Sequence, residues 1–343
     1  MMRLPDFQFH APRSIREAVD LLAHAAPGEA MLVAGGTDLL PNMKRRQQTP
    51  RTLVGLRRVE ELRGIAYGDG ITIGSAMTLT EIVRDDRIRR SCGALWQAAA
   101  QVATPHLRNM GTIGGNVCLD TRCNYYDQNY EWRKAIVFCL KKDGKTCWVA
   151  PSSPKCVAVS STDTAPALMA LGAEISLAGA DGIRRIPLSA LYRNDGIAYL
   201  TRTASEIVTD VLVPPQNGWR SAYWKLRRRG AFDFPVLSVA AAARIAKDGT
   251  VEVARIVLGA VTSRPVEAPA AAIAALVGRR LTDDVIMETA ELAAQPSRPL
   301  DNTDFTMLWR KRMTKFFVSY ALKELRGDDM RAQRLKVSRQ ELI

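Results

Sequence analysis

Two short glycine-rich stretches constrain this chain more than any other feature. Leu32-Val33-Ala34-Gly35-Gly36-Thr37-Asp38-Leu39 continues an apolar run, and Gly111-Thr112-Ile113-Gly114-Gly115-Asn116 follows about 80 residues later. Each places paired glycines beside a hydroxyl residue. Without a Cβ the main chain can approach a ligand closely, take up positive φ and turn successive N–H groups toward phosphate oxygens. Neither stretch fits Gly-x-Gly-x-x-Gly or carries the Lys-Ser/Thr that closes a P-loop. A doubly wound nicotinamide site and a triphosphate site are therefore disfavoured. A dinucleotide such as FAD stands ahead of purely structural turns.

The periodicity predicts an α+β chain. Ser14-Ile15-Arg16-Glu17 reads as a capping box before a helix with Ala18, Leu21 and Leu22 on its apolar stripe. Strands are predicted at 31–34, running into the first glycine pair, and at 52–56. A hairpin is predicted at 65–74, turning at Gly68-Asp69-Gly70. Thr78-Leu79-Thr80-Glu81 caps a further helix, and one longer helix is expected over 88–102. A helix at 165–171 and a strand at 174–178 come next. Residues 186–261 read as one antiparallel sheet with strands at 206–213, 221–226, 237–246 and 251–260. Helices at 266–277, 283–293 and 304–325 follow, and 326–343 reads as a charged, mobile tail.

Residues 118–162 break this order, with no long helical or strand period. A loop of this length is uncommon unless it is functional or held by something. Five of the six cysteines lie in it, spaced Cys118-x4-Cys123-x15-Cys139-x7-Cys147-x8-Cys156. Such clustering in a chain with reduced thiols argues for a metal rather than disulfides. There is no Cys-x2-Cys, so zinc ribbons and ferredoxin-type motifs match poorly. Thiolates select zinc or iron–sulfur clusters, and the bland alternative is a set of buried thiols. Cys92 reads as one of the latter, inside a helix.

Charge and histidine content narrow the function. The net charge of +13 would suit an anionic cofactor or an acidic partner, although most of it reads as a solvated surface. Arg227-Arg228-Arg229 lacks any nucleic-acid-binding context. No apolar run reaches the roughly 20 residues of a membrane span. The first residues lack the apolar core of a signal peptide, which gives an expectation of a cytoplasmic protein. His10, His24 and His106 are the only histidines, and no Gly-x-Ser-x-Gly or His-Glu-x-x-His occurs. Bound cofactors would then carry the chemistry.

On Ala34-Gly35-Gly36-Thr37-Asp38, Thr112-Ile113-Gly114-Gly115-Asn116 and the cysteine loop, the chain resembles the FAD-binding medium subunits of the molybdenum hydroxylases, the xanthine dehydrogenase and carbon monoxide dehydrogenase group. The resemblance runs from the N-terminal helix to about Leu325. It implies an α+β FAD-binding fold of the vanillyl-alcohol-oxidase type, with two α/β subdomains gripping FAD and a C-terminal antiparallel sheet with helices. The implied divisions are 1–60, 61–180 with the loop 118–162 inserted, 181–325, and the tail 326–343.

The resemblance makes Leu32, Val33, Ala34, Gly35, Gly36, Thr37, Asp38, Leu39, Thr112, Ile113, Gly114, Gly115 and Asn116 the two pyrophosphate loops. Val102 and Met110 would line the flavin site, Asp163 would lie on its ribose and adenine side, and Lys225 would lie near the isoalloxazine. The cysteine loop is similar to that of the flavoprotein subunit of 4-hydroxybenzoyl-CoA reductase, which implies a [4Fe–4S] cluster on Cys123, Cys139, Cys147 and Cys156, with Cys118 a spare. An aldehyde oxidoreductase flavoprotein also carries such a cluster, at less similar spacings. The implied partners are a large molybdopterin subunit, a small subunit with two [2Fe–2S] clusters, and a ferredoxin donor, in a heterohexamer. Three functions follow: a flavin and iron–sulfur subunit of an aromatic acyl-CoA reductase, the same subunit of an aldehyde- or N-heterocycle-oxidising dehydrogenase, or a cofactor-free or zinc-binding assembly protein.

Overall fold

The computed structural model describes residues 3–26 and 28–340. Its first sheet is small and parallel, with β1 (Gln8–His10), β2 (Ala30–Val33) and β3 (Thr52–Gly55) in the order β1-β3-β2. The helix Ile15–Ala23 buries Ala18, Val19 and Leu22 against it. Ser14 caps this helix by accepting from the Glu17 N–H at 3.1 Å. The reciprocal half of the expected capping box is not made, because the Glu17 carboxylate accepts from the Arg13 N–H instead. The box at Thr78 and Glu81 is complete.

The second sheet comprises β4 (Ile65–Gly68), β5 (Gly70–Gly74), β6 (Glu174–Gly179), β7 (Gly182–Pro187) and β8 (Ile207–Val213), in the order β4-β5-β8-β6-β7. The strand expected at 206–213 within the C-terminal sheet is therefore central here. Ile71 pairs with Val213, and Glu174 pairs with Leu212. Apolar patterning reports that a strand is buried, but it does not name the neighbour the strand will take. The break expected at 180 falls in the turn between β6 and β7, which pair along their length.

The third sheet is antiparallel, with β9 (Trp219–Leu226), β10 (Leu237–Ile245), β11 (Val251–Gly259) and β12 (Val266–Glu267) in the order β12-β11-β10-β9. Both faces of β10 are buried. Ala240 and Ala242 join the core of the second sheet, while Val239, Ala241 and Ala243 face Phe317 and Leu322 in the core formed with the C-terminal helices. Its alanine run lets the helix Thr164–Ala170 approach one side. The molecule is thus a mixed α+β structure whose third sheet is welded to its second.

Two other expectations are corrected. The helix expected over 88–102 is two helices, Asp86–Ser91 and Gly93–Gln101, with Cys92 at the break and not inside a helix. A Cβ on Gly93 would stand 2.8 Å from the Ser221 carbonyl oxygen, so the approach of β9 fixes that break. The tail is packed rather than mobile through residue 340, and 341–343 lie outside the described residues. Its helix Arg331–Arg339 sends Arg334 to Glu324 at 2.6 Å and over the Trp224 ring at 4.2 Å. No helix among the described residues is long and apolar enough to cross a membrane.

Candidate functional site

The first glycine stretch leaves the end of β2 and enters the helix Leu39–Lys44, and Gly36 takes φ +70° on the way. A Cβ on Gly35 would overlap the Met110 carbonyl, so main chain from both glycine stretches meets at this residue. The second stretch opens the helix Ile113–Val117, with Thr112 as its cap. Between them lies a cleft of about 490 Å³.

The residues 32–39, with Val102, Thr112, Gly114, Gly115, Asn116 and Asp163, line this cleft as the sequence suggested. Three expected residues do not. Met110 contributes its backbone to the contact with Gly35 while its side chain lies outside the lining. Ile113 is fully buried in the core, its N–H donating to the Met77 carbonyl at 2.9 Å. Lys225 stands one layer back, its Nζ donating to Asp163 Oδ2 and to the Gln101 carbonyl, each at 3.0 Å. Lys225 therefore positions Asp163. Burial pushes the Asp163 carboxyl up, opposed by Lys225 and the Tyr223 hydroxyl, and pushes the Lys225 ammonium down.

The two stretches contribute unequally. Among the described residues no acceptor takes the N–H of Gly35, Gly36 or Thr37. In the second stretch the Gly114 N–H goes to the Ser75 carbonyl, the Gly115 N–H to Thr112 Oγ1 and the Asn116 N–H to the Thr112 carbonyl. Amides without an acceptor among the described residues thus come mainly from the first stretch, with the Thr112 N–H adding one from the second, which otherwise supplies shape and side chains. Asn116 Oδ1 accepts from the Thr162 hydroxyl and from the Thr164 N–H and hydroxyl, which leaves Nδ2 as its available donor.

Several lining residues carried no sequence signal. Tyr199 and Arg202 come from an irregular segment before β8, and Phe232 and Phe234 follow the arginine run. Arg229, read as solvated surface, lines the cleft, lies over the Phe232 ring at 4.8 Å and pairs with Asp233 at 3.0 Å.

The loop 118–162 contains a single short helix, Tyr130–Ala135. Cys123, Cys139, Cys147 and Cys156 are all buried and line one small cavity with Tyr125, Tyr126, Lys141 and Trp148. Cys118 lines the cleft instead, and Cys92 is fully buried in the core. Two glycines pack closely against these cysteines. A Cβ on Gly196 would stand 2.7 Å from Cys156 Sγ, and one on Gly144 would stand 2.7 Å from the Cys139 nitrogen. Val137 and Phe138, just before Cys139, hold φ of 62° and 60°, a backbone that side-chain-bearing residues seldom adopt.

Burial pushes the Cys123 thiol up to about 12, with Cys156 and Cys139 adding to the shift, and pushes the Cys156 thiol up to about 11. Buried thiolates that repel one another call for a cation among them. No three His, Cys, Asp or Glu among the described residues are grouped to hold a single metal ion. The four sulfurs around one cavity are soft donors, the type that zinc and iron–sulfur groups take.

The family comparison agrees with the cleft. Residues 5–216 match the model for the FAD binding domain in molybdopterin dehydrogenase, and 221–325 match the CO dehydrogenase flavoprotein C-terminal domain. The chain belongs to this family of FAD-binding oxidoreductase subunits. The aldehyde oxidoreductase FAD-binding subunit PaoB of Escherichia coli K12 is 31% identical over 289 residues, 80% of this chain and 88% of that protein. The nicotinate dehydrogenase FAD-subunit of Eubacterium barkeri is 29% identical, covering 71% of this chain and 70% of that one. The structure of carbon monoxide dehydrogenase from Hydrogenophaga pseudoflava superposes with a TM-score of 0.77 at 27% identity, over 94% of this chain and 98% of that one. The free amides at Gly35–Thr37 and the open side of Gly115 suit the FAD-binding subunit's diphosphate.

Proposed function

We propose that this FAD-binding subunit carries electrons for a molybdenum dehydrogenase that oxidises an aldehyde or an N-heterocycle, and that it also holds a [4Fe–4S] cluster. The observation carrying the second half is that the four cysteines implied by the family resemblance line one buried cavity, while Cys118 and Cys92 lie elsewhere. The relatives named for aldehyde and nicotinate oxidation favour this substrate class. The spacing of the cysteine loop supports a second reading, a 4-hydroxybenzoyl-CoA reductase subunit serving aromatic catabolism.

Bound here, FAD would exchange electron pairs for single electrons and the cluster would relay single electrons. The chain's own part is to hold and shield. Amides of Gly35, Gly36 and Thr37 would hold the diphosphate, Lys225 and Tyr223 fix Asp163, and the four buried cysteines would hold the cluster. Substrate chemistry would fall to a large molybdopterin subunit, reached through a small subunit with two [2Fe–2S] clusters in a heterohexamer. A ferredoxin is the proposed exchange partner for the reductase reading.

Anaerobic purification with flavin, iron and sulfide analysis tests the cofactors. One FAD with four irons per chain is expected, and a colourless or zinc-containing folded protein would refute the proposal. Assays of the assembled complex with aldehydes, N-heterocycles and 4-hydroxybenzoyl-CoA decide the substrate. Turnover of the acyl-CoA alone would replace the first reading by the second.

A further inference from the structure

One charged pair stands in the wall between the cysteine cavity and the cleft. Lys141 lines the cysteine cavity, and its side chain is only 6% exposed. Its Nζ donates to Asp120 Oδ1 at 2.8 Å, to Thr121 Oγ1 at 2.7 Å and to the Gly196 carbonyl at 2.5 Å. It lies 4.8 Å from the Tyr126 ring centroid and 5.5 Å from that of Tyr199. Lys141 is also the cation acting on the Cys156 thiol. Asp120, in contrast, lines the cleft, where Oδ2 accepts from Gln48 and from the Tyr126 hydroxyl, each at 3.2 Å.

The pair thus spans the wall, with Lys141 among the residues lining the cysteine cavity and Asp120 among those lining the cleft. A buried ion pair adds little net stability over an apolar pair of the same size, so stability alone does not explain it. In a dry wall, however, its field is poorly screened. Resting on the cluster reading above, we propose that the Lys141–Asp120 pair is an electrostatic partition that favours an electron on the cysteine side of the wall over the flavin side. The step concerned is transfer of one electron into the cluster, with no bond made or broken, and the added negative charge faces Lys141. Lys141 is a positioning residue in this scheme and touches no substrate.

The test is a dithionite redox titration of the full chain, followed by electron paramagnetic resonance and paired with iron, sulfide and flavin analysis. In Lys141→Met the ratio of reduced to oxidised cluster at the parent's midpoint should fall about tenfold, equivalent to about 59 mV for a one-electron couple. Lys141→Arg should stay near the parent. Asp120→Asn should shift the midpoint upward, and the double variant Lys141→Met/Asp120→Asn should return toward the parent. Opposite signs in the two single variants are not expected of a merely structural brace.

Full iron with an unchanged potential in Lys141→Met overturns the partition, as do shifts of the same sign in both single variants. If Lys141→Met loses iron, Asp120→Asn decides alone, and a midpoint that does not rise overturns the proposal. Loss of iron in both marks the pair as a brace and overturns it too. A parent chain without iron takes down the cluster reading itself, a result distinct from a loaded parent whose potential ignores the pair.

Discussion

At Gly115 the fold and the ligand place opposite demands on one position. The residue lies inside the short helix Ile113–Val117, and its N–H donates to Thr112 Oγ1 at 3.1 Å. A Cβ built there meets only Thr112 Oγ1, at 3.2 Å, with open space otherwise. That hydroxyl can yield slightly, and replacing a helical glycine by alanine stabilises a helix by about 0.5–1 kcal/mol. Gly115→Ala should therefore leave the flavin-free protein as stable as the parent or slightly more so. The same position lines the cleft, so the new methyl group occupies ligand space. Gly115→Asp goes further by setting a carboxylate against the diphosphate. One such repulsion at about 4 Å and an effective dielectric near 20 amounts to roughly 4 kcal/mol. That corresponds to about a thousandfold in affinity, since each 1.4 kcal/mol is about tenfold. Flavin fluorescence titration of the deflavinated chain reads the affinity, and thermal unfolding without FAD reads the fold. Parental FAD affinity in Gly115→Asp would refute the assignment. A flavin-free Gly115→Ala that melts well below the parent would refute the account of why glycine is there.

Gly35→Ala should behave differently, because its Cβ meets backbone rather than open cleft. Overpacking of this kind costs about 1–3 kcal/mol, so both melting temperature and flavin content should fall. Arg122 is buried, pairs with Asp38 and with Asp127 at 3.4 Å, and sits 4.7 Å from the Phe234 ring. Arg122→Leu removes the guanidinium from Asp38, which keeps Asn42, and from Asp127, which keeps Arg45, and should cost about 1–3 kcal/mol in urea unfolding, with flavin retention falling. Cys139→Ser should lose iron while keeping FAD, and parental iron content would exclude Cys139 as a ligand. The Glu206 carboxyl is held below its usual range by the Arg184 guanidinium, at 2.6 and 3.0 Å. A depressed carboxyl stabilises above the unfolded value near 4.3 and loses that contribution as pH falls through its folded value. The melting advantage of the parent over Glu206→Gln, worth about 1 kcal/mol at pH 7, should shrink as pH falls below the ordinary carboxylate range. An advantage that persists in acid would contradict this linkage.

What the sequence made legible was local chemistry. Glycine pairs after a strand and a complete Thr78–Glu81 box could be read because residue type and spacing carry them, whereas the choice of four cysteines came from the family resemblance. What it hid depends on tertiary neighbours. The strand Ile207–Val213 carries no mark of its partners, and the break at Cys92 depends on the Ser221 backbone more than 100 residues away. Lys225 looked like a flavin contact because its neighbourhood in the chain matched, yet full burial behind Asp163 is a property of the folded core. The second glycine stretch was misjudged in a similar way. Its glycines permit close approach, but the amides of Gly114, Gly115 and Asn116 are already spent on Ser75 and Thr112.

The proposed cluster and the flavin should be separable because of how the cysteine loop is anchored. It leaves just after Asn116 and returns at Thr162, Asp163 and Thr164, and Asn116 Oδ1 accepts from both threonines. A second clamp joins Arg122 to Asp38 of the first glycine stretch. Neither clamp uses a cysteine. The loop ends, and with them the wall of the cleft, are therefore set by neutral and charged hydrogen bonds that survive loss of the metal. The strained turn at Val137 and Phe138 lies far along the loop, next to Cys139, where ligation can compensate for it. Disorder caused by iron loss should accordingly be confined to the middle of the loop, visible as hydrogen exchange gained over 129–148 with 116 and 162–164 unchanged. Exchange spreading to those anchors would mean that the cage holds the cleft together.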